Sequence, residues 1–235
     1  GSAGLLAAVV AFLVLPDVSP DIEPSPLREL PGIVRADLRI ASVGTVNLVV
    51  RFVFAGVLLS TVVLYAREAN VSIGLLSSTG VSGVVMAISV LGASVATVLA
   101  GRYSDHLSNR ALVAIPALGV LAGGFALLAF VPTLPGILVA VAAIGIGVGG
   151  SNPPLMAYLG DISPADDVGK LGGVYNVFGD LGSTLGPVVA LPLVARVGYT
   201  AEYLACAALA LGVAVLVFGT LLGDPTPAES LPVED

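Results

Sequence analysis

The sequence predicts an all-α, polytopic transmembrane helix bundle with six full spans, and three observations carry that prediction. The 235 residues are 57% hydrophobic and only 11% charged, whereas soluble domains carry roughly a quarter charged residues. The apolar residues gather into six runs, at 43–66, 80–100, 111–130, 136–159, 172–194 and 203–222, each close to the ~20 residues a helix needs to cross the hydrocarbon core. The runs are continuously apolar, without the alternation of a membrane barrel. An open sheet is excluded because lipid would leave its edges unsatisfied.

Taken in order, residues 4–15 are apolar but too short to span, and they stop at Pro16. Their length also fits a signal-peptide core, but no basic stretch precedes them and no small-residue cleavage site follows. Residues 1–15 are therefore expected to be the truncated end of a preceding transmembrane helix. Residues 16–42 carry Pro16, Pro20, Pro24, Pro26 and Pro31 and read as a linker, acidic and extended at first. Its stretch 27–40 sets Arg28, Arg35 and Arg39 among apolar residues, a composition that suits the membrane surface. The bundle occupies 43–222. Residues 223–235, with Pro225, Pro227 and several acids, are expected to be a disordered tail.

The formal net charge is −7, with the acids mostly in loops and tail, where solvation accounts for them. Basic residues set the orientation. One set of connections holds Arg28, Arg35, Arg39, Arg102, Arg110 and Lys170; the other holds only Arg67 and Arg196. The first set, with linker and tail, is expected in the cytoplasm. Cys206 is the one cysteine and can form no internal disulfide.

Between the second and third runs lies Gly101-Arg-Tyr-Ser-Asp105-His-Leu-Ser-Asn-Arg110. Gly101, Asp105 and Arg110 match a loop of the form G-x-x-x-D-[RK]-x-G-[RK]-[RK]. His106 replaces a cation, Ser108 the second glycine and Asn109 one of the basic pair. The segment resembles the loop that the major facilitator superfamily places between the second and third helix of each six-helix half. Six runs with a polar linker before them and a polar tail after them look like the second half of such a 12-helix carrier. Residues 1–15 would then end helix six, and 16–42 would be the central linker. The resemblance covers nearly the whole chain.

The resemblance implies a secondary active transporter that moves a small solute by alternating access at the plasma membrane. Its partners would be the lipid bilayer, an N-terminal six-helix half, a small-molecule substrate and protons; no nucleic acid and no cofactor are expected. In the family the loop acts in conformational switching, so Asp105 would contact a helix end of the opposite half while Arg110 anchors the loop. Gly182-Ser-Thr-Leu-Gly186-Pro187 resembles the family's G-x-x-x-G-P element, clearest in antiporters, which implies proton-linked export. The glycine pair that follows in the family is absent, with Ala190 nearest. Physically, Gly182 and Gly186 form a flat strip for close helix approach, and Pro187 bends its helix. Plain tight packing is the alternative to gating.

Two charges lie deep inside apolar runs, Arg51 and Asp180. Such residues are costly in lipid and face a cavity or a partner. At ~1.5 Å per residue each lies ~12 Å from the start of its run, so the two are expected to meet, as a proton-coupling pair or as a purely structural one. Asn176, Asp180, Ser183 and Pro187 recur at helical spacing as one polar stripe, and Asn47 with Arg51 as another. Gly145-Ile-Gly147-Val-Gly149-Gly150 satisfies G-x-G-x-x-G but sits inside an apolar run and ends at Asn152-Pro153-Pro154, the wrong context for a dinucleotide. It is expected to be a broken helix whose freed carbonyls line a cavity. Asn47, Arg51, Asn152, Asn176 and Asp180 are the substrate and coupling candidates.

Catalytic chemistry is not expected. There is no H-E-x-x-H or G-x-S-x-G, and Gly169-Lys170 is followed by Leu171, which rules out a P-loop. His106, the one histidine, falls in a loop. Asp161, Asp166 and Asp167 are expected to cap the next helix and do not make a metal site. The reading from another class is a non-transporting membrane sensor or scaffold, which counterflow of solute would separate from a carrier.

Overall fold

The computed structural model describes residues 37–68, 78–163 and 168–222. The expectations for 1–15, for most of the linker, for the tail and for Asp166 and Asp167 fall outside these residues. Within them there are helices and short turns and no strand. Five segments are long and apolar enough to cross a membrane.

The first is a rod in three parts: α1 (Leu38–Arg51), a π-helical stretch (Phe52–Leu58) and α2 (Leu59–Glu68). It starts earlier than the apolar run at 43, so residues 38–42 leave the linker and join the bundle. The Asp37 side chain caps the helix, accepting from the Arg39 backbone N–H at 2.8 Å, and Ile40 and Ser42 are already buried. A side-chain acceptor at this place satisfies one of the orphan donors of a first turn. The Arg39 guanidinium folds back onto the same carboxylate at 2.6 Å. Burial works to raise the Asp37 carboxyl, but the Arg39 hydrogen bonds and charge outweigh it and hold the group below the usual carboxylate range.

Next come α3 (Ser78–Ser104), a 3₁₀ turn (Arg110–Val113) leading into α4 (Ala114–Phe130), and α5 (Leu134–Ile162). Thr133 caps α5 through the Gly136 N–H at 3.3 Å, with a proline in the first turn. The segment 145–154 does not break: α5 runs unbroken through it, prolines included. Proline at 153 offers no N–H to the Gly149 carbonyl four residues earlier, and Thr97 of α3 donates its hydroxyl to that oxygen at 3.1 Å. The carbonyl expected to line a cavity is thus spent on a neighbouring helix.

The last segment, α6 (Val168–Thr220), is two limbs joined at Gly198, whose φ of 79° and ψ of 166° are not helical. A side chain is strained at that φ, so glycine suits the turn. Contacts show that the chain reverses there. Before the turn, Gly179 lies on Asn47, Gly182 on Leu48 and Gly186 on Gly56, so limb 168–197 runs parallel to the first rod. After it, Tyr203 meets Thr61 while Leu221 meets Asn109 at the other end of the bundle, so limb 199–220 runs back.

Lipid supplies no hydrophobic drive between helices, so their association depends on close packing of small residues. A Cβ added to Gly145 or Gly149 of α5 would overlap the carbonyl oxygens of Ser89 and Ala93 of α3. On the opposite side of α5, a Cβ on Gly147 would come 2.6 Å from the Leu121 Cβ of α4. The run of glycines is therefore a contact surface on two faces. Phe125, Leu118, Leu121, Leu128, Ile144, Tyr158 and Tyr203 fill the core. Outer faces stay apolar, as with Leu91 on α3 and Val215 and Phe218 on α6.

Candidate functional site

The polar centre of the bundle is Tyr175, on limb 168–197. Its backbone carbonyl accepts from Asn47 Nδ2 at 2.7 Å, and its hydroxyl donates to Asn152 Oδ1 at 2.7 Å. Three helices are joined through one residue. Asn47 is buried and Asn152 half-buried, so Asn47 ties α1 to limb 168–197 from inside the bundle. Gly179 makes room for it: a Cβ there would stand 2.6 Å from Asn47 Nδ2 and 3.4 Å from the Arg51 Cγ. Nothing in the pattern of residues singles out Tyr175, a lone tyrosine in an apolar run. Its one signal was the spacing of Asn176, which marks a polar patch one residue away.

Arg51 and Asp180 do not form the expected ion pair. No nitrogen–oxygen approach within 4.0 Å joins them, and the ion pairs among the described residues are Arg39–Asp37, Arg110–Asp105 and Arg110–Asp161. The reason is the rotation of the limb. Gly179 takes the face against α1, and Asp180 follows ~100° round the helix. Arg51, Asn176 and Asp180 are all exposed. Arg51 passes beside Gly179, one residue before Asp180. Ser183 is half-buried, and its hydroxyl donates back to the Gly179 carbonyl at 2.9 Å; the limb stays helical through Pro187.

Directly after Arg51 the helix widens into the π-helical stretch, where it meets the G-x-x-x-G-P element. A Cβ on Gly56 would overlap the Gly186 Cα, and one on Gly186 the Gly56 Cα. A Cβ on Gly182 would overlap the Leu48 carbonyl oxygen. Gly182 and Gly186 therefore bring two backbones together. A π stretch is rare and tends to occur at functional places; nothing in the composition of Phe52–Leu58 announced it.

At the opposite polar feature, Gly101 lies at the end of α3 and Asp105 in the turn that follows. Arg110 sits between two acids, 3.7 Å from Asp105 and 3.3 Å from Asp161 at the end of α5. Asp161 was expected as a helix cap; it serves instead as the anchor for Arg110. Asn109 is buried. It accepts from the Ala111 N–H at 3.1 Å and donates to the Leu221 carbonyl, so it both caps the 3₁₀ turn that leads into α4 and ties the loop to the end of α6. His106 is exposed. Among the described residues no group of His, Cys, Asp and Glu is placed to hold a metal ion.

Among curated proteins no match is found. The family model described as Major Facilitator Superfamily matches residues 45–234, which takes in all the helices from the middle of α1 onward, with Arg51, the Arg110 loop and the Gly56–Gly186 crossing. The chain belongs to the Major Facilitator Superfamily, and it is a membrane transporter protein built from long apolar helices.

Proposed function

We propose that this chain supplies one six-helix half of a 12-helix secondary active transporter, which moves a small solute by alternating access and exports it against protons. The observation that carries this reading is the exposure of Arg51, Asn176 and Asp180 in otherwise apolar helices. Ionisable groups at such depth are costly against lipid and favour an aqueous pathway. A second six-helix bundle facing them would enclose that pathway. Gly101, Asp105 and Arg110 would switch conformation, and the Gly56–Gly186 crossing would let α1 and limb 168–197 move as one body. The Arg-rich end, with linker and tail, would face the cytoplasm, and the carrier would sit in the plasma membrane.

The test is transport by the full-length parent, both halves present, in proteoliposomes. Asp180→Asn is expected to abolish uptake driven by a pH gradient while sparing substrate counterflow. Unchanged proton-driven uptake in that variant would overturn the coupling role of Asp180, and absence of counterflow in the parent would overturn the carrier.

A further inference from the structure

Glu202 is 1% exposed, and both of its carboxyl oxygens lack a hydrogen-bond partner. It lies four residues past the reversal at Gly198, in the first turn of the returning limb. Two hydroxyls of this end of the bundle are spent elsewhere. Tyr65 donates its hydroxyl to the Leu128 carbonyl at 2.7 Å, and the Tyr203 hydroxyl bonds Thr61 Oγ1 at 3.1 Å. The rings of Tyr65, Tyr199 and Tyr203 pack with centroids 5.2 to 6.1 Å apart and close this end of the bundle.

The surrounding charges do not compensate the carboxyl. Tyr199, Tyr203 and Cys206 are the ionisable neighbours on its own limb, and α2 brings Tyr65 and Glu68 to Tyr199. The facing α4 carries no ionisable side chain, and neither do the connections 69–77 and 131–133. Arg67 and Arg196, the cations of this end, make no ion pair with it. An ionised carboxylate without a protein partner is among the costliest groups a protein can bury. With its oxygens enclosed, a proton is the ligand that needs no cavity.

We propose that Glu202 is a proton-binding site of this chain. It holds its proton in the present conformation and releases it to water when the turn at Gly198 opens. The site is separate from Asp180, which lies on the other limb and is exposed, and it does not depend on the transport reading because it is tested on the chain itself.

Infrared spectra of the 235-residue chain in lipid vesicles test the first part. At neutral pH the unmutated chain should show the carbonyl band of a protonated glutamic acid, shifted by ¹³C-glutamate labelling and absent in Glu202→Gln. Lack of that band, or its survival in Glu202→Gln, overturns the proposal. Should that variant fail to fold, Glu202→Asp serves in its place: the band should then escape the shift by ¹³C-glutamate, and a band that still shifts overturns the proposal. Cys206, buried one turn further on, tests the second part through its rate of maleimide labelling. The ratio of the unmutated rate to that of Glu202→Gln should rise several-fold from acid to alkaline pH, since thiol reactivity cancels in the ratio. A ratio that stays flat overturns release by opening.

Discussion

Arg110 lies 3.3 Å from the Asp161 carboxylate, bridging the loop after α3 to the end of α5. Both side chains are 33% exposed, so the pair contributes at most about 1 kcal/mol to stability. Its value is positional: it holds the turn that carries Asp105, which also lies 3.7 Å from Arg110 and is 64% exposed.

Asp161→Asn in the full-length parent should therefore slow turnover, as should Asp105→Asn, while leaving substrate binding within a few-fold. Exchanging the charges, Arg110→Asp with Asp161→Arg, should recover part of the lost rate. Stopped-flow transport alongside equilibrium binding checks both. A large loss of affinity at normal turnover would contradict a switching role.

Glycine substitutions should separate by what a Cβ would meet. At Gly149 and Gly186 it would overlap the backbone of a neighbouring helix, so alanine there should cost about 1–3 kcal/mol or more through overpacking. At Gly123 in α4 a Cβ meets nothing within 4 Å. Gly123→Ala should be neutral or stabilise by about 0.5–1 kcal/mol, because glycine is a poor helix residue. Thermal unfolding in detergent decides; equal effects at the three positions would show that these crossings do not limit stability.

Much of this architecture was legible in advance, and the misses share a cause. Apolar length located α3, α4 and α5 to within a few residues, because lipid admits little but continuous helices. Asp37 was hidden among the prolines and acids of the linker, so the cap that starts α1 went unread. Depth along a helix follows from rise per residue, and Arg51 and Asp180 were placed at matching depth. Rotation about the helix depends on which face packs, and only the Gly179–Asn47 contact revealed that. Glu202 fell just outside an apolar run starting at 203, where an acid reads as a surface residue. The fold buries it beside Tyr199 and Tyr203, where the limb returns from the turn at Gly198.

The Asn152–Tyr175–Asn47 chain predicts coupled losses. Tyr175→Phe and Asn152→Ala each remove the same 2.7 Å hydrogen bond, and each should cost about 1–3 kcal/mol where a buried polar group is left unpaired. Because they act on one bond, the double variant should cost clearly less than the sum. Asn47→Ala acts on the carbonyl of Tyr175 and should add more nearly independently. A double-mutant cycle on unfolding midpoints checks the pair, and simple additivity of Tyr175→Phe with Asn152→Ala would mean that the bond carries no energy.

The start of α1 should be sensitive to acid in a defined direction. Asp37 is held below its ordinary value of 3.8 because the Arg39 contacts outweigh the effect of burial. A depressed carboxyl adds stability that is complete above the unfolded value and is lost as pH falls through the folded one. The first turn should therefore be intact at neutral pH and fray below about pH 4, the ordinary aspartate range. Carbon chemical shifts of residues 38–41, followed by nuclear magnetic resonance in detergent micelles, would report it. Asn caps a helix about as well as Asp without titrating, so Asp37→Asn should keep the turn and abolish its acid dependence. Asp37→Ala should lose about 1 kcal/mol of local stability at neutral pH. If Asp37→Asn frays over the same range as the unmutated chain, some other group is responsible and the Asp37–Arg39 clasp does not secure the start of the helix.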